Sequence, residues 1–210
     1  MRIDRRRRSA DQNRRLRTDI AQAAFAKGID GRVCGEGCTI ECPRCGSTGC
    51  QCTCGPHCPE ARRQLSSDPE NYPIEPAILP LVFEMKRLGM FRPCWSCEGH
   101  LDADGGPWKL PRVWFYCDST AHIRLLADGI KELELAGKLS VPWKLVVTFS
   151  DPDNPDTTFS LEPVSRSADE STLWARRGDV IAIAKSLQTM ISTQARQLQR
   201  QAGASLADAT

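Results

Sequence analysis

No run of apolar residues in this 210-residue chain approaches the roughly twenty needed to span a bilayer. No secretory signal is expected either, because the Arg-rich start leads into a polar helix and not into an apolar stretch. Arg5 to Arg8 fail as a twin-arginine signal for the same reason. No internal repeat and no phosphate-cradling glycine loop is present, which sets aside repeat arrays and the common nucleotide-binding folds. These absences lead to the expectation of a cytoplasmic protein without membrane contact, in a compartment where thiols stay reduced. Apolar content of 40% and charged content of 26% are those of an ordinary globular chain.

Cysteine, by contrast, is abundant and concentrated. Of eleven cysteines, eight lie in one stretch: Cys34, Cys38, Cys42, Cys45, Cys50, Cys52, Cys54 and Cys58. Ile40 is the only large aliphatic side chain there, so burial cannot offset the entropy of ordering the segment. Metal or disulfides must order it, and a reducing compartment favours metal. Cys42-Pro43-Arg44-Cys45-Gly46 has the form of a zinc knuckle, whose tight turn aims two sulfurs at one ion. Eight thiolates complete about two tetrahedral zinc sites, with His57 as a further candidate ligand. The excess negative charge of such sites would be met by Arg32, Arg44, Arg62 and Arg63. The alternating Cys50-x-Cys52-x-Cys54 resembles metallothionein-like segments, which keeps a metal buffer or sensor in view. An iron–sulfur cluster is the rival cofactor, since Cys54-x3-Cys58-Pro59 echoes the end of a ferredoxin ligand run. A structural metal supplies folding free energy, so the block is expected to be unfolded without it.

Charge is as uneven as cysteine. The net charge is +2, but residues 1–19 hold eight arginines against Asp4, Asp11 and Asp19, leaving the rest of the chain acidic. An Arg-rich arm on an acidic body points to an anionic polymer, with nucleic acid the first partner to test. Ser9 and Gln12 have the form of a capping box, and Leu16, Ile20, Ala23 and Ala24 recur at helical spacing up to Gly28. So thin a stripe makes the helix either marginal alone or docked on a partner surface. A protein partner at this helix or at the C-terminal one is a further expectation.

After the block, Pro59 to Leu65 predicts a short helix, and Ser66 to Glu75 reads as a linker. Helices are then expected around Ile78–Leu88, over Ile123–Leu133 capped by Ser119, and from about Ser167 or Asp169 through Ile191, fraying beyond Gln199. Strands are expected at Phe91–Trp95 and Arg112–Cys117, with a hairpin formed by Trp143–Phe149 and Thr157–Leu161. The order α-β-β-α-β-β-α predicts an α+β fold, a small antiparallel sheet covered by helices. The expected organisation is a basic arm and helix (1–30), a metal-ordered module (31–65), the α+β domain (75–200) and a flexible tail (201–210).

A second constellation lies in the loop Cys94-Trp95-Ser96-Cys97-Glu98-Gly99-His100. Cys94, Cys97 and His100 stand three apart and offer three metal ligands, with Cys117 or His122 as a fourth. Three ligands plus water make a catalytic zinc arrangement, so Cys97, Glu98 and His100 are the candidate catalytic residues, with Glu98 or Asp118 as acid/base. The plainer alternative is a buried thiol pair beside a histidine that hydrogen-bonds its loop.

The run IEPAILPLVFEMKRLGMFRPCWSCEGHL, followed by PRVWFYC, resembles the N-terminal part of the wybutosine-synthesising tRNA methyltransferase family. That family carries an S-C-S-G-R loop, matched here at Ser96, Cys97, Gly99 and His100, with Glu98 at its second serine and His100 at its arginine. The loop is also similar to the S-C-E-G-H loop of uncharacterised bacterial and phage proteins. The methyltransferase resemblance implies an α+β fold around the loop and an S-adenosylmethionine-dependent RNA methyltransferase activity. Together with the residues themselves, the leading expectation is a zinc-binding protein that acts by binding; an enzyme working at Cys97–His100 is the alternative.

Overall fold

A computed structural model describes residues 8–25, 41, 55–56, 58, 61–148, 156–164 and 170–207. Helix α1 (Ala10–Ala24) opens on a reciprocal cap: Ser9 Oγ accepts from the Gln12 N–H at 3.2 Å, and Gln12 Oε1 accepts from the Ser9 N–H at 3.1 Å. Its thin apolar stripe suffices because it docks within the chain. Ala23 and Ala24 are fully buried in the core, and Ile20 packs against it. Asp19 fixes the docked position: its carboxylate accepts from Ser119 Oγ at 2.5 Å, and its carbonyl accepts from His122 Nε2 at 3.0 Å.

Helix α2 (Ala61–Gln64) is one turn long. The stretch 66–75, expected as a linker, is tied down. Arg62 Nε donates to Ile74 O at 2.7 Å, Ile74 N–H donates back to Arg62 O at 2.9 Å, and Ser66 Oγ donates to Tyr72 O at 2.6 Å. Leu65 and Ile74 pack on the core, so the chain enters the next helix from a set position. That helix, α3 (Leu79–Leu88), carries Pro80 in its first turn, where the missing N–H is harmless, and ends at Gly89 with φ 70°.

Four strands form the main sheet: β1 (Arg92–Cys97), β4 (Arg112–Tyr116), β5 (Trp143–Thr148) and β6 (Thr158–Pro163), in the order β1-β4-β6-β5, all antiparallel. A short pair, β2 (His100–Leu101) and β3 (Pro107–Lys109), is added between β1 and β4 and had no counterpart in the sequence pattern. With α4 (Thr120–Leu135) and α5 (Glu170–Ala207) the fold is α+β, as the sequence predicts. Helix α5 runs on past Gln199 to Ala207.

Alternation assigns the two sheet faces. Val113, Phe115 and Leu161 are fully buried beneath the helices, and Phe91 meets Phe115 edge-on at 5.4 Å. Arg112, Trp114 and Tyr116 alternate with them and lie on the opposite face. A bulge between Pro93 and Trp95 sets Trp95 opposite Trp114 and Cys97 opposite Arg112.

Helix α5 is the common support, with α1, α3 and α4 all packed on it. Val180, Ile183, Leu187 and Ile191 are fully buried at helical spacing, each worth about 1.5–3 kcal/mol relative to exposure. Asp179, buried on the same helix, accepts from Ser140 N–H at 2.7 Å, Ser140 Oγ at 2.8 Å and Trp143 Nε1 at 3.0 Å, locking the start of β5 to α5. At the α4–α5 crossing a Cβ on Gly129 would stand 2.0 Å from Met190 Cγ. Gly129→Ala should therefore destabilise the protein by about 1–3 kcal/mol in urea, despite the better helix propensity of alanine. The loss should shrink in a Met190→Ala background; an equal loss in both backgrounds would contradict the close approach.

Candidate metal centre

Strand β1 ends in Ser96-Cys97, and the turn Glu98-Gly99 leads to His100 at the start of β2, so Cys94 and Cys97, expected in a loop, lie on a strand. Gly99 has φ +85°, and a Cβ there would lie 2.6 Å from Leu173 Cδ1 and 2.8 Å from Pro111 Cδ, so only glycine fits both the backbone and the space. This tight reversal brings His100 back beside Cys97. Glu75, at the end of the tied segment before α3, completes a group whose ligand atoms all lie within 4.8 Å of one another: Glu75, Cys97 and His100.

Two carboxylates hold the group in place. Glu75 Oε1 lies 2.8 Å from His100 Nε2, while its other oxygen accepts from the Glu98 N–H at 2.6 Å. Glu98 reaches back, its Oε2 accepting from the Ala77 N–H at 2.7 Å. Arg177 of α5 closes the arrangement: it donates to Glu98 Oε1 at 2.9 Å, to Glu98 O at 3.2 Å and to Gly99 O at 2.8 Å. Both side chains of the Arg177–Glu98 pair are mostly buried, 17% and 16% exposed, so this is a structural ion pair and not a surface one.

Cys97 is buried, and its Sγ accepts from the Gly99 N–H at 3.4 Å. Burial pushes its thiol pKa up; the Gly99 N–H, Lys109 and Arg112 pull it down, and the Glu75 carboxylate adds to the rise. The net rise keeps the thiol protonated at neutral pH. Cys97 is thus a poor free nucleophile, whereas a divalent cation between Glu75 and His100 would favour its thiolate. One carboxylate, one imidazole and one thiolate make a donor set suited to zinc, and the residues present fit it.

Other residues singled out by the sequence lie elsewhere. Cys94 sits exposed at the β1 bulge and is not part of the group. Cys117 Sγ donates to Ser119 O at 3.3 Å, and His122 is engaged with α1, so neither offers a fourth ligand. Asp118 pairs with Arg92 through two contacts of 2.9 and 2.7 Å. Glu98 has both carboxylate oxygens occupied and serves the turn's geometry. Cys34, Cys38, Cys42, Cys45, Cys50, Cys52, Cys54 and His57 lie outside the described residues. Cys58, the last of the block, packs partly buried against the Ala61, Leu79 and Phe83 cluster alongside Ile74, next to Glu75 in sequence. Sequence spacing missed Glu75 and Arg177, because their roles depend on elements distant in the chain; Glu75 stood in an apparent linker and Arg177 on a helix read for its apolar stripe.

No family model, curated protein or solved structure matches the chain. The chemistry of the centre is therefore read from its own residues.

Arg177→Leu should cost about 3 kcal/mol in urea unfolding, because it leaves Glu98 buried without its counterion. Arg177→Lys should recover only part of that loss, since an ammonium cannot span the three acceptors as the guanidinium does. Full recovery with lysine would contradict the three-acceptor clamp.

Proposed function

We propose that this is a zinc-binding protein that acts by binding, with nucleic acid as its partner. The observation that carries the zinc reading is the convergence of Glu75, Cys97 and His100, three ligand types from two separate parts of the chain. The cysteine block adds about two further zinc ions on its eight thiolates. Cys58, the last thiol of the block, is partly buried on the α2–α3 cluster. For nucleic acid, support comes from Arg14, Arg15 and Arg17 on a helix fixed to the core, so that the basic residues are presented on a firm base.

Among the described residues the Glu75–Cys97–His100 group supplies three ligands, and this one feature favours the alternative, a zinc-assisted enzyme with water as the fourth. Against it, Glu98 is held by Arg177 and Ala77 and is not free to act as a base. The S-adenosylmethionine-dependent alternative rests on the loop resemblance alone.

Elemental analysis of the purified full chain tests the proposal. About three zinc ions and no visible colour are expected, with about one ion lost in Cys97→Ala or His100→Ala and none in Cys94→Ala. Because Cys97 enters as a thiol and must release its proton to zinc, affinity at this site should fall as pH is lowered. Unchanged zinc content in the Cys97 and His100 variants would overturn the site, and a broad visible band would replace zinc with iron–sulfur.

A further inference from the structure

The sheet face opposite the helices carries Trp95, Trp114 and Tyr116 beside the polar Ser160 and Thr158, which stand opposite Trp114 and Tyr116. Trp95 and Trp114 stand opposite each other in register, ring centroids 5.0 Å apart, and Trp95 is 40% exposed. On the same strand and face, Tyr116 follows at one end and Arg112 at the other. They do not belong to the helix side, where Val113 and Phe115 are fully buried.

Positive charge lies along this track. Arg112 forms no hydrogen bond or ion pair through its side chain among the described residues, and its Nε is buried without a partner. At the other end Arg92 stands opposite Tyr116 and pairs with Asp118. Asp118 also lines a cleft of ≈ 390 Å³ between α1 and the start of α4, where Arg8 and Arg15 are matched by Asp19 and Asp118, so the cleft adds no net positive charge. Beside the metal centre, Lys109 lies 4.1 Å over the ring of Trp108, which is mostly exposed. Cations at both ends of an aromatic surface suit a ligand with alternating anions and flat rings. An apolar protein partner would leave Arg112 uncompensated.

We propose that this face binds single-stranded nucleic acid, with bases stacked on Trp95 and Trp114 and phosphates held by Arg112. The inference rests on the nucleic-acid part of the proposed function and names its surface. Five residues of β4 span about 14 Å, room for about two or three stacked bases. Duplexes are poor ligands for such a surface, since their bases are already stacked on each other. Cys97 lies opposite Arg112, so zinc at the metal centre would set the end of the track without touching the bases.

The test uses the zinc-loaded full chain and labelled oligouridine, oligothymidine and a duplex, each of about twelve nucleotides. Fluorescence anisotropy should show binding of one or both single strands, weak binding of the duplex, and quenching of tryptophan emission. Trp95→Leu and Trp114→Leu should each weaken binding by about tenfold, while Arg124→Gln on α4 leaves it unchanged. Arg112→Gln should weaken binding and make it less sensitive to salt. Should a leucine variant fail to fold, quenching in the unaltered chain decides: stacking quenches tryptophan, and binding along α1 alone does not. Folded leucine variants with parental affinity, combined with loss of binding on replacing Arg14, Arg15 and Arg17, would overturn the surface and leave the nucleic-acid reading standing. Equal binding of duplex would also overturn the surface. No binding of any oligonucleotide would overturn both.

Discussion

The guanidinium of Arg177 ties the turn between β1 and β2 to the longest helix of the fold. Through one side chain, α5 holds the Glu98 carboxylate and the carbonyls of Glu98 and Gly99. Glu98 in turn holds the backbone entering α3, and its own N–H holds Glu75. Remove the guanidinium and a mostly buried carboxylate loses its counterion, which in proteins costs several times what a surface pair is worth. The pair thereby fixes the turn that joins Cys97 to His100, while Glu75 meets His100 directly at 2.8 Å.

The same support explains how one helix can serve several parts of the chain. Along α5, Leu173 abuts Gly99, Arg177 clamps the turn, Asp179 anchors Ser140 and Trp143, and the apolar ladder from Val180 onward receives α1, α3 and α4. Polar anchoring is concentrated near the N-terminal part of the helix, and apolar packing follows it. The Glu75–Cys97–His100 group thus stands where the sheet, the entry to α3 and α5 meet. A zinc ion there would meet one carboxylate and one thiolate, so its charge would be balanced locally. Lys109 and Arg112 would remain available to an external anion.

The fold was legible where periodicity was strong. Leu126, Ile130 and Leu133 on α4 and the Gly89 stop of α3 each follow from a local pattern and appear in the structure. Strand β5 forms where alternation placed it, but the alternation of burial breaks at its far end, where Val147 is exposed. Parts that depend on distant elements were not legible. The thin stripe of α1 leaves the helix either marginal alone or docked, and does not name α5 and α4. The β2–β3 pair is too short to give a period. Segment 66–75 has the composition of a linker, yet cross-bonds from Arg62 and Ser66 give it a fixed course. At the site, C-x2-H spacing brought Cys97 and His100 together, since a tight turn at Gly99 is a local event. Cys94 obeys the same spacing but lies on the β1 bulge, because a strand, unlike a turn, extends its residues away from each other.

The central claim is a zinc ion held by mixed oxygen, nitrogen and sulfur ligands, distinct from the thiolate-rich block. X-ray absorption at the zinc edge addresses it directly on the full chain and on a Glu75→Ala/His100→Ala double variant. The account predicts an oxygen/nitrogen shell near ~2.0 Å in the parent, beside a sulfur shell near ~2.3 Å, with the lighter shell lost or sharply reduced in the variant. An all-sulfur parent, or a lighter shell that survives unchanged in the folded double variant, would contradict it.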